Sequence, residues 1–190
     1  MRFEKGHREA THKKIVDIAS KKFREDGLDA VGIAGLMAEA GLTHGGFYAH
    51  FDSKEALVQE AMEAAFDGSR LKFNAGLEPL IRSYLRASHR DNPGLGCVVA
   101  ALTPEIARHP EPTRAAYTKR LETFLAKIAA LLPEHLTPET RQQTAIGILG
   151  SMIGTLQMSR AVTNPELSEN ILKSGIDAAL RLAEDVQKSK

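Results

Sequence analysis

An all-α fold is predicted, in about nine helices, on three observations. Apolar residues recur at three- and four-residue spacing along most of the chain. No stretch alternates as a half-buried strand does. Cap residues, including Thr137-Pro138 and Asn164-Pro165, stand where helices would begin. The chain has 190 residues, 43% of them hydrophobic, enough to fold as one core of moderate size or as a small domain joined to a larger one. Basic and acidic residues nearly cancel at 25 against 24, so total charge does not point to a polyanion. The distribution is uneven. Residues 1–24 carry eight Lys or Arg (Arg2, Lys5, Arg8, Lys13, Lys14, Lys21, Lys22, Arg24) against three acids. That is a modest electrostatic footprint for a polyanion, or equally a solvated helix face.

The first helix is expected over about Thr11 to Asp26, with Ile15, Ile18, Ala19 and Phe23 on one face and Gly27 as its stop. A short second helix follows, about Ile33 to Ala40, with Ile33, Leu36, Met37 and Ala40 apolar. Gly41 ends it, and Thr43 can cap a third, about Thr43 to Phe51. Asp52 or Ser53 then caps a fourth, about Lys54 to Phe73, Asp52 and Glu55 having capping-box spacing. After a break at 74–76, a helix carries Leu77, Leu80, Ile81, Tyr84 and Leu85. Asp91 to Gly96 reads as a loop. Cys97 to Arg108 reads as an apolar helix in which Pro104 kinks or opens the final turn. Pro110 and Pro112 separate it from a helix of about Thr113 to Leu132. Two long helices close the chain, Pro138 to Ala161 and Pro165 to Lys188.

The second and third helices, joined by Gly41-Leu42, have helix-turn-helix spacing. In such a unit the second helix enters the major groove and the first crosses the backbone. Gly45 and Gly46 stand in succession on a helix of about two turns, where each costs about 1 kcal/mol relative to Ala. Two explanations are open: close approach of the helix backbone to a groove wall, or tight packing against the first helix.

From Thr11 to about Ala61 the sequence resembles the DNA-binding domain of TetR-family (TetR/AcrR) transcriptional regulators. The matching features are Ile15 to Phe23 with Gly27, Ile33 to Gly41, and then Thr43, Gly45, Tyr48, Phe51, Ser53, Lys54, Glu55 and Leu57. The resemblance implies a helix-turn-helix domain over residues 1–53 and a helical ligand-binding and dimerisation domain over 54–190. It implies a homodimer on a pseudo-palindromic double-stranded DNA operator, released by a small-molecule effector whose class cannot be read. Carried over by position, Thr43, His44, Gly45 and Gly46 would face bases or phosphates at the start of the recognition helix. Tyr48 and His50 would touch the backbone or base edges. Lys54 would bind phosphate beside the free N–H groups of the next helix, while Phe47 and Phe51 would pack inside. The sequence departs from the family at Val31 and Gly32, where Ser or Thr often caps the second helix, and at Ala34 and His44, where a basic residue is common. Fewer fixed cations imply a shallower salt dependence, and His44 makes acidity a variable.

The last two helices carry apolar residues at Ile146, Leu149, Met152, Ile153 and Leu156, then Leu172, Ile176, Ala179, Leu180 and Ala183. Gly147, Gly150 and Gly154 notch the first of them. Paired across a two-fold axis, these helices would form a four-helix bundle as the dimer interface; the same residues also suit an internal core. Candidate residues for a ligand cavity are Phe66, Leu85, Leu102, Ile106, Tyr117, Leu121, Phe124 and Met158, most of which would equally serve as core. Cys97 is the single cysteine, which excludes an internal disulfide and fits a cytoplasmic setting. It follows a glycine loop at a helix start, which leaves a thiol-based redox or electrophile sensor as one reading and a buried structural cysteine as the other.

Catalysis is not expected. The seven histidines are scattered, none is spaced as a zinc site, and no nucleophile elbow, P-loop or dinucleotide fingerprint occurs. No cofactor or metal is implied. No apolar run is long enough to span a bilayer and no signal peptide opens the chain, so the expectation is a cytoplasmic protein without membrane contact. The alternative to a ligand-responsive repressor is an adaptor with a degenerate helix-turn-helix, to which Val31 and Ala34 lend weight.

Overall fold

The computed structural model describes residues 5–68, 71 and 73–188. Its α-helices are α1 (Lys5–Asp26), α2 (Ile33–Glu39), α3 (Lys54–Asp67), α4 (Leu77–Tyr84), α5 (Ala87–Arg90), α6 (Val98–Ile106), α7 (Glu111–Ala129), α8 (Pro138–Ala161) and α9 (Pro165–Lys188). Among the described residues there is no strand. The helix after Gly41 is a six-residue 3₁₀ helix, His44–Ala49. Two shorter 3₁₀ turns, Phe73–Ala75 and Pro93–Leu95, flank α4 and α5.

Several boundaries differ from expectation for local reasons. Helix α1 begins by Lys5, six residues before Thr11, because Arg8 and His12 find partners on neighbouring elements. Arg2, expected to add to the basic footprint, lies outside the described residues. Helix α3 ends at Asp67 with Gly68 as its cap, and Phe73 belongs to the following 3₁₀ turn; residues 69, 70 and 72 of the expected helix lie outside the described residues. The segment 91–96, expected as loop, contains a 3₁₀ turn, and α5 precedes it where no helix was expected. Helix α7 starts at Glu111, with Pro112 accommodated in its first turn, where a missing N–H costs nothing. Pro104 sits in the last turn of α6, and the helix ends two residues later.

Two apolar clusters organise the chain. One is built from Ile15, Ala19 and Phe23 of α1, Leu36 and Met37 of α2, Phe47, Phe51, and Leu57, Val58 and Met62 of α3. It runs on without a break into Val98, Leu102, Ile106 and Tyr117 of α6 and α7. The second joins Ile81, Tyr84 and Leu85 of α4 to Ile148, Met152 and Leu156 of α8 and Leu172 and Ala179 of α9. Helices α8 and α9 cross closely at Gly175, where a Cβ would lie 2.2 Å from the Thr155 side chain. Only a glycine permits that approach.

The crossing sorts the residues expected at a dimer interface. Leu149, Met152, Leu156, Leu172, Ala179 and Ala183 are buried within the chain, and Ile153, Ile176 and Leu180 pack partly against the same clusters. The first six serve as core within the chain, while Ile153, Ile176 and Leu180 stay half-buried. Ile146 alone of that set is exposed, at 50%.

Candidate nucleic-acid interface

The helix-turn-helix is set by its turn. Gly41 has φ +74°, a conformation that favours glycine, and Leu42 N–H donates to the Met37 carbonyl at 2.8 Å. The chain thereby reverses and enters His44–Ala49. Phe47 is fully buried, stacked on Phe51 at 5.4 Å between centroids, and Phe51 stacks in turn on His12 of α1 at 4.4 Å. These two rings hold the 3₁₀ helix against α1. Arg8 adds a bond from Nη2 to the Ala49 carbonyl, 2.7 Å.

The opposite face is bare. Thr43, His44, Gly45, Tyr48 and Ala49 are exposed and Gly46 is partly so. Tyr48, at 64%, is the most exposed large apolar side chain among the described residues, its ring edge-on to Phe47 at 5.3 Å. A Cβ at Gly45 would meet nothing within 4 Å, and one at Gly46 would make only ordinary contacts with Met37 and Thr43. Internal packing against α1 therefore does not require the glycine pair. Thr43 occupies the cap position, yet its side chain makes no capping bond, contrary to expectation; the first turn is 3₁₀ and its Gly46 N–H is taken by the Thr43 carbonyl at 3.0 Å. The Thr43 side chain is exposed, its hydroxyl beside Gly46.

His50 and Lys54 sit differently from that face. His50 is half-buried with Nδ1 unpartnered, 6.0 Å from the His12 ring. Burial lowers its pKa, and the neighbouring His12 and Arg8 act in the same direction. Lys54 Nζ donates to the Leu28 carbonyl at 2.6 Å, which pins the α1–α2 loop and leaves two N–H bonds of the ammonium free. The cap of α3 is Ser53, accepting from Ala56 N–H at 3.1 Å. The expected Asp52–Glu55 capping box does not form, because Glu55 turns to the other side.

There Glu55 joins α3 to the α6–α7 corner. It accepts from Thr113 Oγ1 in a short bond and lies 3.0 Å from His109 Nδ1, while Gln59 Nε2 donates to Thr113 at 2.8 Å. Burial opposes ionisation of Glu55, but the bonds from Thr113 and His109 outweigh it and hold its pKa below the ordinary value. A second carboxylate, Glu105 of α6, accepts from Leu28 N–H at 2.6 Å and Asp29 N–H at 3.3 Å. The peptide of Leu28 is thus held on both sides, by Glu105 and by Lys54. Sequence reading missed both of these contacts; the partners are more than fifty residues away along the chain, and no local pattern marks them.

The basic residues of α1 are largely engaged. Lys13 pairs with Asp17 at 2.7 Å, Lys22 lies near Glu25, Asp26 and Glu39, and Lys14 donates to the Ala40 carbonyl. Arg24 donates to the Gly96 carbonyl at 3.2 Å. The footprint expected from composition is mostly spent on holding the domain together.

A cavity of about 680 Å³ lies between α3, α4 and α7, at the end of α3 away from the 3₁₀ helix. Of the eight residues expected to line it, Phe66 and Phe124 do. Leu85, Leu102, Ile106 and Tyr117 are buried core, Leu121 packs between clusters, and Met158 is 56% exposed on α8, so these six do not line it. Cys97 borders the cavity and caps α6, half-buried and packed against both main apolar clusters.

The fold and the bare face define an all-helical helix-turn-helix protein. Residues 15–61 match the model of bacterial regulatory proteins of the tetR family. It is 32% identical over 122 residues to the HTH-type transcriptional repressor KstR2 of Rhodococcus jostii; the match covers 57% of this chain and only 56% of that protein. Solved TetR-family structures share the fold across nearly the whole chain. A regulator from Cytophaga hutchinsonii superposes with a TM-score of 0.75 at 17% identity, covering 94% of this chain and 97% of its own. One from Chloroflexus aurantiacus gives 0.73 at 21%, covering 96% and 97%.

Proposed function

We propose that this protein is a transcriptional repressor that binds a pseudo-palindromic DNA operator as a homodimer and is released by a small-molecule effector. The observation that carries the reading is the outward face of the 3₁₀ helix. Thr43, His44, Gly45 and Tyr48 are exposed on an element anchored from behind by Phe47 and Phe51. A two-glycine helix with no internal need for its glycines suits close approach to a groove wall. Residues 1–53 form the reading unit, with Gly46 beside that face. His50 ends the 3₁₀ helix beside His12 of α1, and Lys54 and the α3 N-terminus lie at the edge of the face, where a phosphate would find free N–H groups. Residues 54–190 form the effector and dimer unit, and the setting is cytoplasmic; among the described residues no helix is long and apolar enough to cross a membrane.

The dimer surface proposed is the outer face of α8 and α9, not their shared core. Ile146, Gly150 and Met158 are exposed on α8, and Leu167, Ala178 and Leu182 are exposed on α9 at helical spacing. Gly147 and Leu182 approach each other, so the two stripes are continuous. Helix α3 links the proposed activities. Phe66, near its end, borders the cavity, and Ser53 and Lys54, at its start, border the reading face. A ligand pressing on Phe66 would tilt α3 and change the separation of two recognition helices, which must span about one helical turn of DNA, roughly 34 Å. The thiol reading of Cys97 is not favoured, since packing accounts for its position.

Selection of genomic fragments on the purified protein tests the reading. The expected result is a small set of enriched duplexes with inverted half-sites. Enrichment of none over bulk DNA at moderate salt would leave the adaptor alternative.

A further inference from the structure

We propose that the cavity between α3, α4 and α7 takes an amphipathic monocarboxylate, its head group held by Arg86 and its apolar body lying against Phe66 and Phe124. The proposal rests on the reading of this cavity as the effector site. Its lining mixes apolar and polar residues, and the polar side chains come from one stretch of chain that also supplies Pro79 and Leu95. Phe66 of α3, Leu71 and Phe124 of α7 form an apolar side. Ser83, Arg86, Ser88 and Asn92, all from the segment that runs from α4 through α5, form a polar side. Ser83 lies in the last turn of α4, and Arg86 is the extended residue that precedes α5.

The charge on the polar side has one sign. Among the described residues no Asp or Glu lines the cavity. Arg86 is exposed and makes neither an ion pair nor a side-chain hydrogen bond among them, whereas nearby Arg90 is paired with Asp91 and Glu169. His89 offers nothing to a ligand. Its Nδ1 lies 2.6 Å from the Tyr84 carbonyl, which can only accept, so Nδ1 carries the proton. Its Nε2 accepts from Cys97 N–H at 3.0 Å. Both nitrogens are therefore used and the ring is neutral. Ser83 donates to the Leu80 carbonyl and Asn92 Nδ2 to the Ser88 carbonyl. The side-chain donors left for a ligand are the Arg86 guanidinium, the Ser88 hydroxyl and the second N–H of the Asn92 amide. One planar guanidinium matches one carboxylate in a two-pronged bond; a phosphate, with more charge, calls for more cations than the described wall supplies. A cation would meet Arg86 with no counter-charge, and a purely apolar ligand would strip water from a guanidinium that has no other partner.

Calorimetric titration of the full chain with straight-chain alkanoates, hexanoate to tetradecanoate, against the matched alcohols, amines and alkyl phosphates tests this. Carboxylates are expected to bind at least about tenfold tighter than alcohols of the same length, as a charged hydrogen bond requires. Arg86→Gln is expected to bring the carboxylate down to the alcohol's affinity and leave the alcohol unchanged. Because Arg86 is exposed and unpaired, its melting temperature should match the parent's. An amine or alcohol that binds as well as the carboxylate, a phosphate that binds better, or a carboxylate preference that survives Arg86→Gln would overturn the proposal. If no amphiphile of any head group binds, the effector-site reading of the cavity fails, and the proposal with it.

Discussion

At the scale of single residues, a few long-range polar contacts attach the N-terminal helices to the rest of the chain. Glu55 is the central one. Replacing it with Ala leaves the Thr113 hydroxyl, in a fully buried residue, without its acceptor, and a melting experiment should read a loss of about 1–3 kcal/mol. Because the folded pKa of Glu55 is lowered, its contribution is present above the ordinary carboxylate pKa and is lost as pH falls through the depressed folded value. His89 works with the opposite charge chemistry but the same sense of pH. Burial lowers its pKa, against the raising effect of its bond to the Tyr84 carbonyl, so the unfolded chain takes up the proton first. Stability should be full above the ordinary value of 6.5 and decline as pH falls below it toward the depressed folded value. Chemical denaturation across that range should show the decline, and His89→Gln should flatten it; an unchanged slope would contradict the neutral-ring assignment. None of these contacts was legible in the sequence. Glu55 had a local reading as a capping-box member, and that reading failed because Ser53 caps α3 alone while a partner on α7 outcompetes it.

At the scale of elements, helix starts were readable where a cap and a proline coincide. Thr137 accepts from Thr140 N–H at 3.2 Å and Asn164 Oδ1 from Leu167 N–H at 3.1 Å, and α8 and α9 begin where those pairs place them. Which stripe of each long helix faces inward was not readable. Both helices have apolar residues on more than one side, and their crossing at Gly175 and Thr155 decides which side is covered. The crossing also carries a prediction. Gly175→Ala pushes a methyl group into Thr155 and should cost about 1–3 kcal/mol by overpacking, with dimerisation weakened as a consequence. Leu149→Ala, in contrast, empties a core site and should cost about 2–5 kcal/mol while leaving the outer stripe intact. Thermal melts with sedimentation on the same samples separate the two effects.

At the scale of the whole molecule, the N-terminal helices share one apolar cluster with α6 and α7, so the reading unit does not hang from a linker. A shift at the cavity wall has a direct route to it through α3. Ile146→Glu with Leu182→Glu alters only exposed side chains, so the chain should stay folded by circular dichroism yet sediment as a monomer; a persistent dimer would move the subunit interface elsewhere. Recognition of DNA should depend on the face that Phe47 and Phe51 hold outward. Tyr48 isolates that dependence, because its exposed ring adds little to folding and surface truncations usually change stability by no more than about 0.5 kcal/mol. The most direct measurement is the affinity of the parent and of Tyr48→Ala for the best duplex from genomic selection, at one fixed salt concentration. The expected result is an unchanged melting temperature and oligomeric state, with affinity lower by about 1–3 kcal/mol, roughly tenfold or more. Equal affinity of the two proteins for that duplex would contradict it.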